Sequence, residues 1–297
     1  MHWLLSVPET FSLHEVIQRS GWLLRPPFHI RAMGVRLYRI ESLETSQTVG
    51  VTLYQVPAGL VLETESHLSG QEIEELSEKS WRMLRLEENF QPFLRLAKRT
   101  PALESVKRLG ARLLRGTSLF EDVLTAASVS WKPNGLPDFD PVGGLVDRLG
   151  RPYPRNPTLH AFPSPEQVLK GAHLLQETLE PWVAQRIQQI ADTFETRSNE
   201  LETLTDHTLP SSELALRLQQ MLSLDKPSVG LLMLSLGRYD YIPIDPAALQ
   251  RMHRGEEVTT ENNVQEILRI LTPWQPWGGL AGWLYDWTKV PTLTHVS

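Results

Sequence analysis

Apolar and polar residues alternate along three segments of the first hundred residues. This two-residue period predicts half-buried β-strands, and the segments that carry it are GVRLYRIE, TVGVTLYQV and GLVLETES. Pro57, Ala58 and Gly59 separate the second segment from the third and predict a tight turn, hence a β-hairpin. Helical patterns flank the strands, in LHEVIQRS, IEELSEKSWRMLRL and FQPFLRLAKR. We therefore predict an antiparallel sheet with flanking helices over residues 1–96.

The rest of the chain has a helical pattern. Apolar residues recur every three to four positions in segments bounded by Pro, Gly, Ser or Thr, which are SLFEDVLTAASVSW, SPEQVLKGAHLLQETL, PWVAQRIQQIADTFE, SSELALRLQQML, SVGLLMLSLG and TENNVQEILRIL. Lys132–Pro141 and Arg151–Ser164 are dense in Pro, Asn or Asp and predict loops. The predicted fold class is α+β, with a sheet domain over residues 1–96 and an all-helical domain over residues 97–297.

The composition excludes several classes of protein. With 297 residues, 41% of them hydrophobic and 22% charged, the chain resembles an ordinary soluble globular protein. It has neither an apolar run of roughly 18 residues nor the basic start of a secretory signal, so no membrane association is expected. The absence of cysteine excludes disulfides, cysteine-ligated zinc and iron–sulfur clusters. The nine histidines lack metal-ligand spacing, so we expect neither a metal nor a cofactor.

Charge gives a mixed signal about nucleic-acid binding. The formal net charge of −6 argues mildly against it, because phosphate binding relies on Lys and Arg. A basic segment, Lys98–Arg115, nevertheless places Arg108, Arg112 and Arg115 at helical spacing on one face, opposite a row of apolar residues. This face is either a solvated helix surface or a surface that contacts phosphate.

The segment Leu224–Met252 carries the most chemical information. It predicts a buried apolar helix entered through Lys226 and a proline, then a short polar turn, GRYDY, and a new helix opened by Asp245. Asp245 followed by Pro246 is an ordinary helix N-cap with proline at the first helical position. Lys226 and Asp245 stand nineteen residues apart.

This segment resembles the catalytic region of the helix-hairpin-helix DNA glycosylases, which include 3-methyladenine glycosylase II, 8-oxoguanine glycosylase and endonuclease III. LLMLSLGRYDYIPID is close to a stretch found in bacterial members, and HAFPSPEQVL and the terminal WQPWGGLAGWLYDW are also similar to family sequences. The order of helix, strands and helix near the amino terminus resembles the first domain of the 3-methyladenine and 8-oxoguanine enzymes. The likeness covers nearly the whole chain.

The resemblance implies roles for two residues. The family's aspartate, here Asp245, stabilises the positive charge that builds on the sugar as the base leaves. The lysine of the lyase-active members, here Lys226, attacks the sugar as a neutral amine and forms a Schiff base. Asp225 directly before it favours the charged amine, and a surface lysine at a helix start is the other interpretation of Lys226.

The chain departs from the family pattern where DNA would be contacted. The family's glycine-rich turn before the lysine lets backbone N–H groups approach a phosphate, whereas residues 220–224 of this chain contain no glycine. Ser223 and Ser228 are candidate substitutes as phosphate donors. Val183 replaces the arginine of the family's aromatic-Arg-Ala helix start.

Aromatic residues are candidates for a pocket or wedge around a flipped base, which is bound by stacking and edge hydrogen bonds. Trp131 and Trp182 occupy suitable positions, with core packing as the alternative for each. Four further tryptophans are expected in the core, namely Trp274, Trp277, Trp283 and Trp287.

The leading functional interpretation is a base-excision DNA N-glycosylase, with lyase activity if Lys226 is a nucleophile. Its partner would be double-stranded DNA that holds a damaged base or an abasic site, and we expect a monomer in a bacterial cytoplasm, on the nucleoid when bound to DNA. The competing interpretation is a catalytically silent relative that keeps the scaffold for binding DNA or protein. The glycine-free turn, Val183 and the acidic charge favour the second interpretation.

Overall fold

A five-stranded antiparallel sheet forms the amino-terminal part of the protein. The computed structural model describes residues 1–19, 27–31, 36–132, 137–177, 179–203, 208–244 and 261–286. The strands are β1 (His2–Leu5), β2 (Phe28–Arg31), β3 (Arg36–Ser42), β4 (Thr48–Val56) and β5 (Gly59–Thr64), in the spatial order β1-β5-β4-β3-β2. The three strands predicted from alternation are confirmed as β3, β4 and β5. Val56 pairs with Gly59 across the predicted hairpin turn. The four-residue strands β1 and β2 escaped prediction because they are too short to establish a period.

Two helices cover one face of this sheet. They are α1 (Leu13–Arg19) and α2 (Gly70–Met83), and both bury apolar side chains against the strands. A capping box starts α2: the Ser69 hydroxyl accepts from the Glu72 backbone N–H, and the Glu72 carboxylate accepts from the Ser69 N–H at 2.8 Å. These two helices confirm the helical predictions for LHEVIQRS and IEELSEKSWRMLRL.

Helices dominate the remaining chain. They are α3 (Gln91–Ala97), α4 (Glu104–Leu109), α5 (Leu119–Ser128), α6 (Asp140–Leu149), α7 (Pro165–Lys170), α8 (Ala172–Gln176), α9 (Pro181–Thr196), α10 (Ser198–Glu202), α11 (Ser211–Leu222), α12 (Lys226–Ser235), α13 (Glu261–Leu271) and α14 (Gly278–Leu284), with 3₁₀ turns at Pro101–Leu103 and Thr272–Trp274. With the sheet, they confirm the α+β class. The longest of them, α9, has 16 residues, and none of the described helices combines the length and apolar character that a bilayer crossing requires.

The prediction that residues 97–297 contain only helices is wrong in one respect. Two small antiparallel ladders lie there, formed by β6 (Ser130–Trp131) with β7 (Pro137–Asp138) and by β8 (Pro152–Tyr153) with β9 (Asn156–His160). They fall in or at the edge of the two predicted loops. Strands of two to five residues within Pro- and Asn-rich sequence leave no alternating pattern to detect.

The helical part has two cores. In the first, α5, α9 and α11 surround α12, whose residues from Ser228 to Ser235 are all buried. This burial explains why α12 is apolar on every side.

In the second core of the helical part, α3 and α4 pack with α13 and α14. The rings of Trp274 and Trp277 lie 5.9 and 5.7 Å from the ring of Phe93, so both tryptophans pack against this core, although each is only half-buried. Trp283 is half-buried and packs against both cores, whereas Trp287 lies outside the described residues.

A buried ionic network joins the sheet to the helices. Arg39 of β3 is 1% exposed and donates from both terminal nitrogens to the Glu121 carboxylate of α5, at 2.9 and 2.7 Å. Its Nε pairs with Glu41. Burial alone would lower the pKa of Arg39, but the two carboxylates raise it above its usual range, so this guanidinium stays charged. Beside it, Asp122 pairs with Arg82, although burial raises the pKa of the Asp122 carboxyl.

Candidate functional site

The helix pair α11–α12 forms a hairpin whose turn closes without glycine. Ser223 follows α11 in the left-handed conformation, with φ of 51°, which is costly for a residue with a Cβ. Leu224 is buried beneath the turn, and Asp225 caps α12 by accepting from the Ser228 N–H at 2.9 Å. The turn therefore closes with backbone strain at Ser223.

Replacing Ser223 with glycine is expected to raise the free energy of unfolding by about 0.5–1 kcal/mol. Glycine removes a left-handed penalty of about 1–2 kcal/mol and costs about 0.5–1 kcal/mol of additional chain entropy. Urea unfolding followed by circular dichroism measures the change. Ser212→Gly, at an exposed helical position of α11, is the matched control and should destabilise by about 0.5 kcal/mol. Equal losses from both variants would contradict the assigned strain.

The residues predicted to carry chemistry around the hairpin differ in exposure. Lys226 is exposed at the first position of α12. Ser223 is exposed in the turn, whereas Ser228 is only 1% exposed, so its hydroxyl faces the core and does not support a phosphate contact. Asp245 lies outside the described residues.

Arg186 of α9 is a site residue that the sequence motifs did not indicate. Its Nη1 lies 3.2 Å from the Asp225 carboxylate at the hairpin, and its Nη2 donates to the Ala127 carbonyl near the end of α5 at 2.5 Å. The guanidinium carbon also lies 5.0 Å from the centre of the Trp182 ring. Arg186 stands one turn beyond Val183, the position where the family pattern has arginine. The sequence signal for this contact was the four-residue spacing of Trp182 and Arg186, which places the two side chains on the same face of a helix.

The two candidate aromatic residues have different surroundings. Trp182 is 60% exposed near the start of α9, beside the hairpin. Trp131 is half-buried in β6, opposite Pro137, and packs against the first helical core. The structure therefore brings Trp182, Asp225 and Lys226 together at one end of α12, while Trp131 follows the end of α5 that Arg186 contacts.

The predicted basic face does not form one helix. The helix α4 ends at Leu109 because Gly110 adopts a positive φ of 65°, so the predicted helical spacing of the three arginines is wrong. Arg108 is exposed. Arg112 donates to backbone carbonyls that include that of Glu88, and Arg115 donates to the Arg82 carbonyl at 2.8 Å, while burial lowers the pKa of both guanidinium groups. Within the described residues Arg112 and Arg115 thus act as structural donors, and Arg108 remains available to solvent.

A small cavity lies at the opposite end of α12 from Lys226. It has a volume of 40 Å³ between the sheet and the helices, and its wall includes Phe28, Phe139, Asp122 and Ser235. Ligand pockets are typically about 300–1,000 Å³, so this space suits ordered water and not a nucleobase. Among the described residues, no group of three His, Asp or Glu side chains is arranged to hold a metal ion.

Comparison with known proteins identifies the fold. No protein-family model and no curated protein matches the sequence. Among solved structures, the chain is similar to the 3-methyladenine DNA glycosylase of Archaeoglobus fulgidus, with a TM-score of 0.70 and 19% identity over 98% of this chain and 100% of that one. It is also similar to the apo form of the Clostridium acetobutylicum 8-oxoguanine glycosylase/lyase, with a TM-score of 0.65 and 16% identity over 96% and 98% of the two chains. The complex of that enzyme with double-stranded DNA gives a TM-score of 0.65, 16% identity and coverage of 97% and 95%. The chain thus has the fold of these DNA glycosylases, which confirms the predicted resemblance at the level of the fold.

Proposed function

We propose that this chain is a monofunctional DNA N-glycosylase that binds duplex DNA, turns a damaged base out of the stack and cleaves its bond to deoxyribose. It would act as a monomer on the bacterial nucleoid. The observation that supports the proposal most is the combination of a glycosylase fold with an exposed tryptophan, Trp182, beside the hairpin that leads into Lys226. An aromatic ring open to solvent next to a basic residue suits contact with an unstacked base and its phosphate.

The proposed chemistry is hydrolysis at C1′ of the damaged nucleotide. The C1′–N bond breaks as water adds to C1′, and an abasic site remains. The proton that the water loses goes to a neutral leaving base or, when the base is cationic as in 3-methyladenine, to solvent. Asp245 is the proposed stabiliser of the cationic sugar, because a carboxylate beside a developing oxocarbenium ion lowers its energy. This assignment rests on the sequence resemblance.

Lys226 is expected not to form a covalent adduct with the sugar. Amine nucleophiles in enzymes are activated by desolvation or by a neighbouring cation, and Lys226 is exposed and directly follows the carboxylate of Asp225. We expect borohydride to trap no adduct with lesion-containing duplexes, and Lys226→Gln to leave base release within about twofold of wild type. An adduct that disappears in Lys226→Gln would show that the lysine is a nucleophile after all.

Base release from defined duplexes tests the proposed function directly. The substrates are matched oligonucleotides with one 3-methyladenine, 8-oxoguanine, hypoxanthine or ethenoadenine, assayed in single turnover at low salt with chromatography of the freed base. Release of at least one base, with strand cleavage only after alkali, is the expected result. The absence of release from every duplex that the protein binds would reject the enzyme.

Trp182→Ala is expected to weaken binding to a duplex with one ethenoadenine about tenfold, because stacking on the unstacked base contributes about 1–3 kcal/mol. Fluorescence anisotropy with a labelled duplex measures the dissociation constant. Trp81→Ala is the matched control, since Trp81 is 38% exposed on α2 and belongs to the sheet domain. Equal weakening by both variants, or by neither, would remove Trp182 from the interface.

The second candidate function is a silent scaffold that binds DNA or protein without catalysis. The observation that favours it is the Asp225 carboxylate, which accepts from the Ser228 N–H in the first turn of α12, where a phosphate would otherwise bind. The net charge of −6 points the same way. Tight binding to abasic duplex together with no release of any base would favour this function, and no binding even at low salt would weaken both DNA hypotheses.

A further inference from the structure

The side chain of Arg186 connects three separate elements at the proposed DNA-contacting end of α12. Its two terminal nitrogens bind α5 through the Ala127 carbonyl and the hairpin through Asp225. Its side chain is only 11% exposed, whereas that of Asp225 is 50% exposed. The guanidinium is therefore fixed from within the protein and is not a freely moving surface charge.

The fixed guanidinium lies against a largely exposed aromatic ring. The guanidinium carbon is 5.0 Å from the Trp182 centroid, within the range of a cation–π contact. Because the Arg186 side chain is largely buried and Trp182 is exposed, the arginine supports the ring from the protein side and leaves aromatic surface toward solvent. A ring held in this way loses less conformational freedom when a base stacks on it.

We infer that Arg186 is a positioning residue that holds Trp182 as a preformed stacking platform for an unstacked nucleobase. The inference rests on the proposed function for its ligand, and on the Ala127, Asp225 and Trp182 contacts for its geometry. Arginine suits the role because its planar fork binds two acceptors while its face lies against a ring, and the single ammonium of lysine does not reproduce this arrangement. Val183, which stands where the family pattern has arginine, is half-buried against the first core, so Arg186 supplies the cation from the next turn.

The first experiment measures the position of the ring without DNA. The protein is labelled with 5-fluorotryptophan, and its nine tryptophan resonances are recorded by fluorine NMR. Trp182→Phe assigns the Trp182 line. In Arg186→Met and Arg186→Lys this line is expected to move or broaden while the Trp81 line stays in place. An unchanged Trp182 line in both folded variants would overturn the inference. Circular dichroism melting identifies folded variants, and Arg186→Lys serves if Arg186→Met does not fold.

The second experiment is a double-mutant cycle of binding to the ethenoadenine duplex. If Arg186 acts through Trp182, Arg186→Met weakens binding about five- to tenfold in wild type and less than twofold in the Trp182→Ala background. The same loss in both backgrounds would show that Arg186 acts independently of the ring, and this would overturn the inference. Arg217→Met, which removes an exposed arginine from α11, is the charge control and should leave affinity within about twofold.

The two experiments distinguish failure of the inference from failure of the proposed function. If the wild-type protein binds no duplex, the proposed DNA function is rejected. The part of the inference that names a nucleobase as the ligand of Trp182 is then rejected as well. The fluorine spectra then still decide whether Arg186 fixes the ring. If the wild type binds duplex and releases a base but the cycle shows no coupling, the glycosylase stands and the positioning role of Arg186 is rejected.

Discussion

Replacing Glu121 with alanine lowers the free energy of unfolding by about 3–5 kcal/mol, because it leaves a buried arginine without its main partner. Arg39 is 1% exposed and places two hydrogen bonds on this one carboxylate. A guanidinium keeps its proton in proteins, so Arg39 cannot escape the loss by becoming neutral near neutral pH. Urea unfolding monitored by circular dichroism provides the measurement.

The control for this variant is Glu65→Ala, which breaks the exposed pair between Arg155 and Glu65 at 3.0 Å. Exposed pairs contribute little, so we expect a loss below about 0.5 kcal/mol. A loss below about 1 kcal/mol for Glu121→Ala would mean that water or Glu41 replaces the missing carboxylate, and that the junction between sheet and helices does not depend on this pair.

Asp245→Asn is expected to slow base release about 10²–10³-fold while leaving the affinity for abasic duplex within about threefold. The amide keeps the shape of the side chain and removes the charge that would stabilise the sugar cation, and the magnitude follows from losing one electrostatic partner of a transition state. Single-turnover rates on whichever duplex the wild type cleaves measure this effect. We therefore expect this variant to change the rate constant of base release far more than the dissociation constant for the duplex.

Asp240→Asn is the matched control for Asp245→Asn. Asp240 is an exposed aspartate in the same polar segment, and it accepts a hydrogen bond from the Ser211 hydroxyl at 2.7 Å, which an amide oxygen can still accept. Its variant should release base at a rate within about twofold of wild type. Equal rates for wild type and Asp245→Asn would dismiss the role proposed for Asp245.

The sequence was most informative where a periodic pattern was long enough to repeat. The seven- and nine-residue strands β3 and β4 and the largely apolar helix α12 were predictable, because burial on one face or on all faces dictates their side chains. The ladders β6–β7 and β8–β9 were not predictable, since tertiary contacts create them in polar sequence. The prediction that Arg108, Arg112 and Arg115 share one helical face was wrong, because a single glycine, Gly110, ends the helix.

The candidate site shows the same division. Lys226 and Trp182 were found from family spacing, and both lie at one end of α12. Arg186 was missed because it stands outside the aromatic-Arg-Ala register, and its role depends on the Ala127 carbonyl and on Asp225, which are distant in sequence. Motif matching identifies residues by their position in a sequence pattern. The contacts of Arg186 with residues of other elements are visible only in the folded chain.

The packing of α3 against the last helices has a consequence for how the protein is made. Phe93 contacts Trp274 and Trp277, which are added to the nascent chain about 180 residues later. At ribosomal rates of about 5–20 residues per second, the sheet is complete roughly 10–40 s before this aromatic surface acquires its cover. We therefore expect chaperones that bind exposed apolar segments to hold the nascent chain around Phe90 and Phe93 until translation nears its end.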